Sequence, residues 1–257
     1  MSKPLPRLMK LQRWPICKPS KRVDIDMHLG LKNDAHEFRF MLLLVCLFGA
    51  LIIPPYFARH EFFSLISKAV LSMVLLASIY SVMELRRLWV PAVVLLVPAI
   101  ASIWIEQFSN QNRLAFYIHN LTTIAFLSFI GYHFLKHLLG CKTVTINVIY
   151  ASMCLYLMLA FIWAAIYANI HLFYGGAFNF SNDYLIAATS SEDRYMGTFT
   201  YFSFITLSTL GYGDITPANN VAGAWVAVEA MIGQFYIAII MARLVSLHAA
   251  NKVTEKN

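Results

Sequence analysis

The chain predicts an all-α integral membrane protein with six transmembrane helices. A shorter helix and loop re-enter the bilayer between the fifth and sixth. Three observations lead there. Of 257 residues, 59% are hydrophobic and 13% charged, against about 25% charged in soluble domains. The apolar runs are long and continuous rather than alternating, and lipid leaves helices as the way to satisfy their backbone. The Lys and Arg residues collect between the runs, on one side of the predicted membrane.

The runs define spans at 40–57, 65–83, 88–105, 114–139, 148–173 and 220–246. The first three are close to the roughly 20 residues that cross a bilayer. The fourth and sixth are longer and are expected to tilt or project. Pro54, Pro55, Pro91 and Pro98 fall within or at the end of spans, where neighbouring helices repair the lost bonds, so they predict kinks rather than breaks. Sixteen of the 20 Lys and Arg lie before the first span, in the second connection, in or beside the fourth connection (Lys136, Lys142), or at and beyond the end of the sixth span (Arg243, Lys252, Lys256). The positive-inside rule therefore places both termini in the cytoplasm and the segment from Gly175 to Asp214 outside.

Residues 1–37 read as a basic cytoplasmic segment, 38–139 as a four-helix transmembrane domain, 147–248 as a span–loop–span module, and 249–257 as a short cytoplasmic tail. A tail of this length is below the roughly 50 residues of a regulatory domain. The net charge of +7 is orientation signal facing anionic lipid headgroups, with no motif for nucleic acid. Cys17 and Cys141 are placed in the cytoplasm and Cys46 and Cys154 in spans, so no structural disulfide is expected. Nothing in the sequence marks an enzyme active site or a cofactor site.

The chemistry concentrates between the last two spans. Ser190 and Ser191 followed by Glu192 and Asp193 predict a helix start, with a helix over 192–208. Its C-terminal, negative dipole end would then point into the membrane. Ser208-Thr209-Leu210-Gly211-Tyr212-Gly213-Asp214 follows. A segment that turns every carbonyl the same way needs φ > 0 at alternate residues, which Gly211 and Gly213 supply at little cost. Thr209 adds a hydroxyl oxygen. Tyr212 is expected to pack against the helix, with Tyr201 and Phe202 as its aromatic support.

Thr209 to Gly213 resembles the selectivity filter of potassium channels, and residues 147–248 are similar to a bacterial-type two-helix pore module of that superfamily. Tyr201-Phe202 stand where the family has paired aromatics, Asp214 where it has an acid, and Pro217 at the filter exit. Gly233, nineteen residues after Asp214, matches the hinge glycine of the inner helix. Leu210 departs from the usual Val. The resemblance implies a homotetramer in the cell (inner or plasma) membrane, with partners limited to other copies, K⁺ and membrane lipids. K⁺ is the only metal, held at the filter as cargo, and no cofactor is implied.

Within this frame Ser208 supports the filter and Asp214 marks an acidic outer mouth with Asp183, Glu192 and Asp193. Gln234, Ile237, Met241 and Val245 fall on one face of the sixth span and would line the cavity and gate. Glu229 reads as the single acid within a span, either protonated or bonded to a group of the short helix. The fourth span carries Arg113 and Lys136 at its ends with no cationic ladder between, so weak or no voltage dependence is expected. His133 and His137 share a face there and read as interfacial. The main reading is a passive K⁺-selective channel. Its alternatives are a weakly selective cation channel and a non-conducting accessory subunit, with a transporter or haem protein more distant.

Overall fold

A computed structural model describes residues 27–57, 62–82, 86–108, 112–141, 144–181 and 192–255, and their side chains except at 27–37, 86–88, 192–194, 241, 244 and 247–255. In chain order the elements are α1 (Met27–Tyr56), α2 (Phe63–Val82), α3 (Arg86–Phe108), α4 (Arg113–Gly140), α5 (Ile146–Tyr174), β1 (Phe178–Phe180), α6 (Glu192–Leu207), β2 (Ile215–Pro217) and α7 (Asn220–Glu255). Six of these helices are long and apolar enough to cross a membrane, making this a multi-pass membrane protein.

The spans fall where the apolar runs lie. α1 starts ahead of its predicted span, at Met27, and α7 continues helical through the expected tail to Glu255. The prolines do not interrupt α1 or α3. Asn112 caps α4 by accepting from the Leu114 N–H at 3.0 Å, and Gly175 ends α5 with φ +62°, the left-handed geometry that suits glycine at a helix end.

α1 to α4 pack in sequence order, and α5 lies against α4 and α1. A core of Phe40, Leu47, Leu75, Ile103, Phe126, Ile130, Phe134 and Met158 joins these five helices. α6 packs on α5 and then on α7. A second core surrounds Tyr167 of α5, whose ring lies 5.3 Å from those of Phe178 and Phe202. Edge and tilted arrangements of this kind add about 0.5–1.5 kcal/mol per pair beyond burial.

Four sequence expectations change. Glu229 is not the single acid in a span, because Glu106 is also buried, in the last turn of α3. His137 is not interfacial: it is buried and stacked on Phe40. Cys141 is disulfide-bonded, whereas Cys46 and Cys154 are free thiols. The fold also contains a short sheet, with β1 antiparallel to β2 and Phe178 opposite Pro217, Asn179 opposite Thr216 and Phe180 opposite Ile215.

Candidate functional site

The segment 208–214 is anchored at both ends by bonds the sequence only partly announces. At its start, α6 closes in a Schellman motif. The Leu210 N–H donates to the Ile205 carbonyl at 2.9 Å and the Thr209 N–H to the Thr206 carbonyl at 3.0 Å. That motif requires a left-handed residue after the helix, and Thr209 takes it with φ 62°. A β-branched residue there is strained by about 1–3 kcal/mol. Gly211 at φ 53° and Gly213 at φ 77° continue the alternation. Positive φ at 209, 211 and 213 breaks the side-to-side alternation of carbonyls that an ordinary strand would have.

At its end, Asp214 is held from three directions. Tyr201 Oη donates to Asp214 Oδ2 at 2.7 Å, and the Ile215 N–H donates to Oδ1 at 3.1 Å. The Ser181 N–H and Oγ donate to the Asp214 carbonyl at 2.9 and 2.7 Å. The β1–β2 pair closes the neck of the loop. Burial and the bond to Asp214 push the Tyr201 phenol up to about 12, so it stays a neutral donor in ordinary buffers. Tyr201→Phe removes one tie, and hydrogen exchange of the amides at 210–216 is expected to accelerate about fivefold, the value of one ordinary hydrogen bond. Unchanged exchange would mean that the sheet alone holds the exit.

Tyr212 does not pack against α6 of its own chain. It is 68% exposed and Leu210 is 60% exposed. Phe202 turns the other way, into the Tyr167–Phe178 cluster, with 5.5 Å between its ring and that of Phe178. Of the aromatic pair, Tyr201 thus reaches the exit of the segment and Phe202 belongs to the core. Ser208 bonds back to the Ile205 carbonyl at 3.2 Å.

Behind the segment, Glu229 of α7 is fully buried and accepts from Tyr167 Oη of α5 at 2.5 Å and from Ser203 Oγ of α6. One carboxyl group therefore joins three helices. The sequence reading anticipated a partner on α6 but missed Tyr167. Its signal was a hydroxyl-bearing ring in the apolar run from Leu157 to Ala168.

Gly233 sits against the end of α6. A Cβ there would overlap the Leu207 carbonyl oxygen and lie 3.1 Å from the carbonyl carbon. Close approach of two helices accounts for this glycine without any bend, and α7 is one continuous helix. Gly233→Ala is expected to destabilise the fold by about 1–3 kcal/mol through overpacking, read as a lower midpoint on thermal unfolding in detergent; an unshifted midpoint would show that α6 and α7 can separate freely.

Gln234, Ile237 and Val245 are exposed in the single chain, and the Met241 side chain lies outside the described residues. Asp183, Ser190 and Ser191, and the side chains of Glu192 and Asp193, also lie outside the described residues. Arg243 supplies a contact the sequence did not announce. It donates to the carbonyls of Leu138 (3.1 Å), Leu139 (2.6 Å) and Cys141 (3.0 Å), capping the C-terminus of α4. A cation at that end also meets the negative pole of the helix dipole.

Residues 143–249 match the family model described as "Ion channel". No curated protein and no solved structure matches.

Proposed function

We propose that the chain is a channel of the potassium-channel superfamily and conducts K⁺ passively, a reading supported by the match of residues 143–249 to the ion-channel family model. Thr209, Leu210, Gly211, Tyr212 and Gly213 form the selective passage, repeated about a four-fold axis. The alternating backbone at 209, 211 and 213 is the observation that carries this reading. Carbonyls turned to one side can replace the water shell of a dehydrated cation, and several ions in file repel one another onward.

Four copies follow from the same segment. One chain offers carbonyls on one side of an ion only, and a closed ring needs symmetry. The apolar exposure of Leu210 and Tyr212, and of Met231, Ile232, Phe235 and Ile239 on α7, supports burial against neighbouring copies. α6 acts as the re-entrant pore helix, its C-terminal dipole end turned toward the passage. Ions pass a cavity lined by Gln234, Ile237, Met241 and Val245, with cytoplasmic termini and Asp214 at the outer mouth.

The decisive measurement is flux through the purified chain in liposomes. ⁸⁶Rb⁺ uptake against a K⁺ gradient is expected, with Na⁺ uptake at least tenfold slower. Equal Rb⁺ and Na⁺ rates would favour a weakly selective channel, in which Leu210 has loosened the passage. No flux from the chain alone would favour an accessory subunit.

Gating is proposed to be independent of voltage. α4 carries Arg113 and Lys136 near its two ends and no regular series of cations between. Each charge moved yields only about 2.3 kcal/mol per 100 mV. Patch-clamp records are expected to show open probability changing less than twofold between −100 and +100 mV, equivalent to about a tenth of one elementary charge moved across the membrane. A steep sigmoid would overturn this.

A further inference from the structure

A cavity of about 370 Å³ lies between the α1–α4 bundle and α6. That is within the range of small-molecule sites. Leu71, Phe116, Phe161 and Phe204 give it apolar walls drawn from four helices. Lys68, Glu106 and His119 also line it, and all three are less than one-tenth exposed. Lys68 Nζ lies 3.7 Å from Glu106 Oε1, and His119 Nε2 lies 3.9 Å from Glu106 Oε2.

Asn120 also lines the cavity and is 1% exposed. Its amide nitrogen donates to Asn169 Oδ1 at 2.9 Å, but its own Oδ1 accepts no hydrogen bond. Buried acceptors are rarely left in that condition, because they forfeit the bond they made in water. A donor arriving in the cavity would restore it.

The charges decide what kind of donor. Lys68 and Glu106 offset each other, so a charged head of either sign would meet a like charge at short range in a low-dielectric site. A neutral head meets none. We propose that this cavity binds a neutral amphiphile with an apolar body and a single hydroxyl, the hydroxyl donating to Asn120 Oδ1. A phenol or an alkanol has that chemistry. Met196 and Thr200 of α6 form part of the same wall, so an occupant would press on the helix that leads into segment 208–214.

The test uses the full chain in liposomes and two photoreactive probes, an alkylphenol and the matched alkylbenzene without the hydroxyl. The alkylphenol is expected to label peptides covering 116–120 or 196–205, with unlabelled alkylphenol competing. The alkylbenzene should label about fivefold less, the worth of one hydrogen bond. Asn120→Leu should bring the phenol down to the alkylbenzene level, and Leu71→Trp, which fills the cavity, should remove both signals. Folding of each variant is checked by gel filtration, and the comparison of the two probes on the unaltered chain stands even if a variant fails to fold. Equal labelling by the two probes, labelling of lipid alone, or labelling indifferent to Leu71→Trp would each overturn the proposal. Labelling reads binding and not flux, so it stands or falls apart from the K⁺ reading.

Discussion

Gly211→Ala will abolish Rb⁺ flux in reconstituted liposomes, by at least tenfold, while the protein still inserts and purifies. A Cβ at Gly211 meets nothing within 4 Å in its own chain, so the cost is not a clash. It comes from φ at +53°, where an L-residue is disfavoured by about 1–2 kcal/mol. In the proposed four-fold assembly this becomes about 4–8 kcal/mol, all of it opposing the backbone arrangement that would align the carbonyls. Gly223→Ala is the matched control. It lies in α7, lacks a positive φ, and its Cβ would come no nearer than 4.0 Å to Pro217. Normal flux is expected there. If Gly211→Ala also conducts normally, the passage runs elsewhere.

Glu229→Val will be the most destabilising substitution in the module. It leaves the hydroxyls of Tyr167 and Ser203 buried with no acceptor, at about 1–3 kcal/mol each, and loosens α5, α6 and α7 from one another at one stroke. Glu229→Gln keeps one carbonyl oxygen with two lone pairs, so it should lose less than half as much. Thermal unfolding in detergent gives the order, and Rb⁺/Na⁺ selectivity of the Gln variant gives the functional reading. A support for α6 predicts that selectivity falls before flux does. Equal stability of the Val and Gln variants would mean that Glu229 merely fills space.

The path from sequence to fold is clearest where one physical rule acts alone. Helix α6 was expected over 192–208 and runs Glu192–Leu207, because acids open it and the glycine-rich segment cannot continue it. The spans follow apolar run length in the same way. What escaped were features in which two rules compete. Thr209 has the propensity of a strand residue, yet the Schellman closure of α6 forces it left-handed. β1 and β2 are three residues each, too short to show a period. Glu106 sat one residue past the predicted end of its span, and its burial depends on Lys68 and His119 from other helices. Tyr212 was assigned a partner within the chain, but its ring is exposed there.

That exposure has a consequence for how the molecule is made. In water, the bare apolar face of α7 would drive chains together. In lipid it would not, since hydrocarbon solvates Phe235 and Ile239 as well as another helix does. The part of a solitary chain that is badly solvated is the polar backbone at 209–213, which lipid cannot hydrogen-bond. In the proposed assembly, membrane insertion and association of the chains would therefore be driven by different portions of the sequence, the second by residues 209–213. Diluting subunits in a bilayer should unravel that loop first and leave the spans standing.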